Sequence, residues 1–510
     1  MLLFSTDCAG TLRWSKTFGG GMTVFGGGLE TDALGGVYVS GIVRPRSSSS
    51  QPAMQFDTDF AFDPNGTTSN IGNHNKEFFV VKYNTQGIYQ WISQPQFDNP
   101  AAGEGAARNY GMVVEADGTI TVQTLFIAGT HFNGNIVVPA PFKGLVIQMN
   151  KDGNYLNHFE YDIGGEITYD RNVTYHYDPL NGQHYFGLHK RIGGGGAVSF
   201  GGVQQTGDAL IVALDATGTE LWRHDSMGVN NLKSITTDDQ SNVYISGAGN
   251  NSGGVNQEGF AGHVFDQVNS PTISGGELAI YVIKLNSSGM LQWGTNPTYS
   301  TGGISTGYAL QVNGNEVAMG GSLGNANTWS GINFNRPLLS SAQDPVVVRF
   351  NKNTGTVIAI EDIEGPSGFD DEITALGVDN FGNYIVGGYV TNSLFLNDPN
   401  VPVITNGTGD SDFWFGQLAK TDCAGVLLSN EDLQQSRASI YPNPAVNEIQ
   451  INSDLEFSSV SIYNVNGQQV LTQILNSDQR LNISTLSNGV YFLKLENNGL
   501  EIETLKLVKE

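Results

Sequence analysis

The sequence predicts an all-β chain with three parts. A β-propeller repeat domain spans residues 1–429, a linker spans 430–438, and a small immunoglobulin-like β-sandwich spans 439–510. Three observations predict this. A strand ending in Asn or Asp, then two residues and a Gly, recurs along the chain. A second hairpin lies between successive copies. The last part alternates apolar and polar positions between turn residues, the signature of short antiparallel strands.

The recurring turns are Asp7…Gly10, Asn84…Gly87, Asn150…Gly153, Asp215…Gly218, Asn286…Gly289, Asn351…Gly355 and Asp422…Gly425, the sixth with one extra residue. Asn or Asp followed by Gly supplies the positive-φ geometry of a tight turn between antiparallel strands. Four of the glycines are followed four positions later by Trp14, Trp91, Trp222 and Trp293. The second hairpin reads Asp32-Ala33-Leu34-Gly35-Gly36-Val37-Tyr38-Val39-Ser40-Gly41, and returns from Asp238 to Gly247 and from Asp379 to Gly388. Each period therefore holds four strands, A to D. Such units in series form the blades of a propeller. The strand Phe79-Val80-Val81-Lys82-Tyr83 resembles strand C of the propeller repeats found in exported Bacteroidota proteins.

Six complete A–D sets are expected from about residue 28 onward, with an orphan C–D pair at Leu2–Phe18 before them. The last strand D, Val426-Leu427-Leu428-Ser429, lacks the Trp. At least one further blade upstream is the expectation, and a closed six-blade ring is the alternative.

Composition excludes several classes. Lys and Arg number 24 against 49 Asp and Glu, a net charge of −25, which repels a phosphate backbone, so nucleic acid is not expected as a partner. No apolar run is long enough to span a bilayer, so no transmembrane segment is expected. Charged residues are only 14% of the chain, below the roughly 25% of ordinary domains, a profile that suits an exported β-protein. Cys8 and Cys423 sit in identical Thr-Asp-Cys-Ala-Gly contexts. Equivalent places in different repeats need not come within bridging distance, so two thiols are expected rather than a disulfide.

The C-terminal part opens with Tyr441-Pro442-Asn443-Pro444. A hairpin follows around Asn466-Gly467, then a strand containing Gly489 and Tyr491, and a last strand bearing Lys506. These blocks, in this order, resemble the C-terminal sorting domain of the type IX secretion system of Bacteroidota. The resemblance implies secretion or outer-membrane surface localisation, with the type IX machinery as partner. It also implies an N-terminal signal peptide. Met1 to Asp7 carries no basic segment or apolar core, so the start is expected to be truncated or misassigned.

The stretch Ile211 to Trp222 resembles the tryptophan-docking repeat of quinoprotein dehydrogenases, but there is no Cys-Cys pair and one blade alone matches well. The same stretch misses the spacing of a sialidase box. His176, His184 and His189 fall on one expected hairpin. Alternation puts His184 and His189 on opposite faces, so surface or edge-strand histidines are expected rather than a metal site. Asp57, Asp59 and Asp63 are candidate Ca²⁺ ligands, yet their spacing is not that of a Ca²⁺ loop. Solvated turn carboxylates are the default there, and no cofactor is expected. No catalytic residue is nominated.

The B–C connections, Arg44–Lys76, Ala248–Gly276, Gly321–Asp344 and Thr391–Ser411, are long, whereas the A–B and C–D turns are tight. Long loops on a rigid scaffold are where binding concentrates, so that face is the expected recognition surface. A Phe recurs in each B–C segment, at Phe62, Phe132, Phe200, Phe265, Phe334 and Phe395, and reads as one packing anchor per blade. The expected function is non-enzymatic binding or adhesion to an extracellular polysaccharide or protein. A secreted carbohydrate-active hydrolase or lyase with its site at the propeller centre is the alternative.

Overall fold

The computed structural model describes residues 1–7, 9–20, 23–44, 52–62, 77–93, 108–164, 173–189, 199–207, 209–226, 229–249, 279–299, 305–324, 326–333, 343–366, 369–396, 398, 401–406, 410–419, 438–453, 457–465, 468–475, 478–497 and 500–510. Cys8, Cys423 and the expected strand at Val426–Ser429 lie outside them.

Strands in series build the first of two compact units, Met1–Lys420. Blade 1 comprises Thr23–Thr31, Val37–Arg44, Glu77–Tyr83 and Tyr89–Ser93. Blade 2 comprises Arg108–Val114, Ile120–His131, Ile136–Met149 and Tyr155–Tyr161. Blade 3 comprises Val173–Asp178, Gln183–His189, Ala209–Leu214 and Glu220–Ser226. Blade 4 comprises Val229–Thr237, Val243–Gly249, Ala279–Leu285 and Leu291–Thr295. Blade 5 comprises Ser305–Asn313, Glu316–Leu323, Asp344–Asn351 and Val357–Asp362. Blade 6 shows Glu372–Val378, Tyr384–Val390 and Asp412–Leu418, its strands A, B and C. Within every blade the strands pair antiparallel in chain order. The orphan pair, Leu2–Thr6 and Leu12–Gly19, forms a half-blade of C and D strands.

Consecutive blades pack face to face, and strand A of each lies against strand A of the next. That is the arrangement of a β-propeller, with strands A innermost. The core lies between blades. Tyr38, Phe78 and Val80 of blade 1 close on Met112, Ile120 and Val122 of blade 2. Each such large side chain contributes about 1.5–3 kcal/mol on burial. Phe4 of the half-blade meets Phe413 and Phe415 of blade 6 at ring distances of 6.1 and 4.8 Å, so the two ends of the unit touch.

The second unit, Thr421–Glu510, is a sandwich. One sheet holds Ala438–Tyr441, Glu448–Ser453 and Arg480–Asn482. The other holds Gln469–Ile474, Ser459–Asn464, Gly489–Asn497 and Leu500–Lys509. Ile449, Ile451, Val460, Ile462, Leu493, Leu495 and Leu507 fill the space between them.

Candidate functional site

The C–D turns form one end of the propeller. In most of them the Asn or Asp side chain accepts backbone N–H groups two and four residues on, as Asn84 does from Gln86 (3.0 Å) and Ile88 (2.9 Å), whereas Asn351, whose turn is one residue longer, accepts from Asn353 and Thr354. Asn150, Asp215 and Asn286 repeat the pattern. Gly87, Gly153, Gly218 and Gly289 then take φ between 72° and 86°. Each glycine also lies under an aromatic ring from strand D of the preceding blade. Trp14 covers Gly87, Trp91 covers Gly153, Phe159 covers Gly218, Trp222 covers Gly289 and Trp293 covers Gly355. The four indoles donate to carbonyls of the same turns, those of Thr85, Lys151, Ser287 and Lys352, at 2.9–3.2 Å. The tryptophans therefore lock blade to blade.

The opposite end carries the B–C connections. Sequence reading gave these as irregular loops, but the structure builds small hairpins into them. Met54–Phe56 pairs with Phe60–Phe62 and continues the half-blade's sheet through Phe18 and Phe56. Ser199–Phe200 and Val203–Gln204 form another, which pairs with Ile163–Gly164 between blades 2 and 3. Ala326–Trp329 and Ile332–Asn333 repeat this against Thr298–Tyr299. In blade 2 the connection is a tight turn at Phe132–Asn135 between long strands. Backbone polar groups of a long connection need partners, and a hairpin bonded to the preceding linker supplies them. Phe132 and Phe200 are buried in interblade cores, and Phe395 packs on Trp414. Phe265, Phe334 and the side chain of Phe62 lie outside the described residues.

Strand A brings polar groups together near this end. Its ladder to strand B slips by one residue at Gly27, Tyr110, Lys233, Tyr308 and Thr374. Such a β-bulge re-aims a side chain and recurs next to functional sites. The residue opposite is Gly41, Gly247, Gly321 or Gly388 in four of these blades. A Cβ at Gly321 would stand 2.3 Å from the Thr306 carbonyl oxygen, so the glycine ending the sequence hairpin is what admits the bulge. Lys233 of blade 4 lies over the Tyr308 ring of blade 5 at 5.8 Å. Tyr308 donates to Glu372 of blade 6 at 2.8 Å. Burial raises the Glu372 carboxyl above its usual range, partly offset by hydrogen bonds from Tyr308 and Tyr389. Burial, with Glu372 beside it, pushes the Tyr308 phenol far up, so it stays protonated and donates. None of these residues was singled out from sequence, because three separate repeats supply them. Lys233 and Tyr308 share the bulge position, and Glu372 stands two residues before the bulge at Thr374.

A cleft of about 460 Å³ opens between blades 5 and 6 at the same end. Val347, Val386, Phe395 and Trp414 give it an apolar, aromatic lining, and Glu361, Asp362, Glu364 and Asp398 bring carboxylates to it. The Trp414 Nε1–H is buried and has no hydrogen-bond partner among the described residues. Carboxylates with an aromatic surface can accept hydroxyl or ammonium donors while covering an apolar ligand face.

The remaining sequence candidates fall elsewhere. Asp57 and Asp59 converge, but on the Lys16 ammonium at 3.1 and 2.7 Å. Burial opposes that charge, yet hydrogen bonds to Asp59 and Asp57 hold the Lys16 pKa above its ordinary value. A cation there would have to displace Lys16; Asp63 lies outside the described residues. The expectation of surface histidines is corrected. His184 and His189 are buried on the central strand B of blade 3. They point to opposite faces, His184 to Tyr175 and Phe159, and His189 to the Leu232 amide. His176 bonds Thr237 of blade 4. Among the described residues no three His, Cys, Asp or Glu side chains cluster to hold a metal.

In the sandwich, Asn443 ties the Pro-Asn-Pro segment to the last strand. Its amide donates to the Lys506 carbonyl and its oxygen accepts from the Val508 N–H, both at 2.8 Å. Pro442 and Pro444 follow cis peptide bonds, and Tyr441 is exposed. Tyr491 is buried and donates to the Ser487 carbonyl. Gly489 begins the strand that pairs with the last strand, where Lys506 stands opposite Phe492. Gly467 lies outside the described residues.

Residues 439–510 match the family described as the secretion system C-terminal sorting domain. The chain is therefore a type IX cargo, secreted or held at the outer-membrane surface. No curated protein matches it. Among solved structures it is similar to a protein of unknown function from Bacteroides caccae, at 11% identity over 60% of this chain and 78% of that one, TM-score 0.30. It is similar to the quinohemoprotein alcohol dehydrogenase of Comamonas testosteroni at 12% identity, over 76% and 60% of the two chains, TM-score 0.34. The extracellular domain of a putative hybrid two component system of B. thetaiotaomicron is 10% identical, over 94% and 69%, TM-score 0.23.

Proposed function

We propose that this exported propeller is a non-enzymatic binding protein that captures an extracellular polysaccharide at its long-loop end. The cleft between blades 5 and 6 carries the reading. It sets carboxylate acceptors beside Trp414 and Phe395, the pairing that suits a sugar's hydroxyls and its apolar face. Rigid blades hold both sides, so little ordering is needed on binding. The test is binding and turnover of the full chain across a panel of polysaccharides. Saturable binding without product is expected, and an Asp398→Asn, Glu364→Gln double substitution should weaken it about tenfold. Unchanged affinity in that variant would remove the cleft from the reading.

A second reading, a hydrolase or lyase at the propeller centre, draws on the convergence of Lys233, Tyr308 and Glu372. A phenol held protonated can donate a proton but is poorly placed to abstract one. Product release from any polysaccharide, abolished by Tyr308→Phe, would establish this reading over the first.

A further inference from the structure

Among the described residues, the ring has a slot whose walls are finished like an interblade interface but lack their cover. Positions equivalent by strand pairing make this plain. Leu29 on strand A of blade 1 stands opposite Val39. Its counterparts Met112, Tyr175, Ile235 and Leu310 are 4–6% exposed and Leu376 of blade 6 is partly buried, each packed towards the blade before it. Leu29 is 60% exposed. On the other wall, Phe415 of blade 6 corresponds to Val80, Val146, Ile211, Val282 and Val347, all at most 1% exposed. Phe415 is 40% exposed and its neighbour Phe413 63%. Ile385 beside them is 39% exposed, where Tyr38, Tyr185 and Tyr244 are fully buried.

Between these walls stands the half-blade, whose described residues form strands C and D. Phe4 reaches Phe413 and Phe415 but leaves both exposed. Among the described residues, Leu2–Thr6 is bonded along one edge alone, to Leu12–Gly19. In every other blade strand B occupies that edge, and strand A of the same blade covers the wall residues. An open strand edge beside uncovered apolar faces is a template for strand addition.

We infer that this slot docks a two-stranded antiparallel β-hairpin of the repeat's own A–B type. One strand would pair with Leu2–Thr6, and the other would line the axis with apolar residues against Ile385, Phe415 and Leu29. The site continues the blade-to-blade interface that the chain already forms five times, which selects a hairpin over a broad convex partner.

The probe is a peptide of residues 229–249, the A–B hairpin of blade 4, added to the full chain. The same hairpin joined ahead of Met1 by a flexible linker supplies a high local concentration. Amide exchange at Leu2–Thr6 and Asp412–Leu418 should slow at least tenfold in one or both arms, and not with a scrambled peptide. Leu29→Glu and Phe413→Glu alter exposed side chains, so the fold stands while docking is lost. No protection in either arm, or equal protection in the glutamate variants, overturns the inference. Self-association of the chain that Leu29→Glu abolishes would assign the slot to a second copy instead.

Discussion

Alanine at Gly289 should cost more than alanine at Gly10, and the difference measures the tryptophan lock. Both glycines end the same Asx turn, with φ of +79° and +80°. Each substitution therefore carries the same left-handed penalty, roughly 1–2 kcal/mol. At Gly10 a Cβ meets nothing within 4 Å, and no tryptophan among the described residues covers that turn. At Gly289 it would sit 2.6 Å from Cδ2 of Trp222, whose indole is also fixed by its bond to the Ser287 carbonyl. Forcing an extra methyl against a held ring adds about 1–3 kcal/mol. Gly289→Ala should thus destabilise by about 2–5 kcal/mol and Gly10→Ala by about 1–2 kcal/mol. Urea unfolding followed by circular dichroism gives both values. A cycle with Trp222→Leu isolates the coupling, since the alanine should cost only its backbone penalty once the indole is gone. Equal costs at the two glycines, or no coupling to Trp222, would refute the lock.

Three further outcomes are expected. His176, His184 and His189 are held by burial at pKa values of about 4, 3 and 3. The unfolded chain takes up protons near pH 6.5 while the folded chain does not. Stability is therefore full above pH 6.5 and falls toward pH 3, by up to about 1.4 kcal/mol per pH unit for each histidine. His184→Gln should flatten the pH dependence of the urea midpoint by one such share, and an unchanged slope would count against it. Asp238→Ala should cost about 3–5 kcal/mol, because Lys284 is buried and loses its counter-ion at 3.8 Å. Asp379→Ala removes similar turn hydrogen bonds at a half-buried site, and about 1–2 kcal/mol is expected from the same urea titration. Asn443→Ala should speed amide exchange along Leu500–Lys509 and lower surface display in a type IX host; unchanged exchange would show that the Asn443 clasp is dispensable.

The fold was legible because each blade repeats local chemistry. Asp32, Asp238 and Asp379 each gather two backbone N–H groups within a turn, and short-range hydrogen bonds leave a mark at fixed spacing. The glycines under tryptophan were visible for the same reason, although their partners lie a blade away. Phe159 shows where legibility stops, since it covers Gly218 from a register two residues off the tryptophan positions and carries no recurring signature. The polar cluster was not legible at all. Lys233, Tyr308 and Glu372 come from three repeats, and the one-residue slips that place Lys233 and Tyr308 are invisible in composition. The histidines were misplaced for a related reason. Alternation assigned them correctly to opposite faces, but both faces of an interior blade are interblade core. A strand pattern that would signal half-exposure in an isolated sheet therefore means full burial here. The same rule explains the slot in reverse. Leu29, Phe413 and Phe415 are chosen for core packing, and nothing in their own sequence distinguishes them from buried counterparts. Their exposure follows from the neighbour that each lacks, which only the arrangement of the blades discloses.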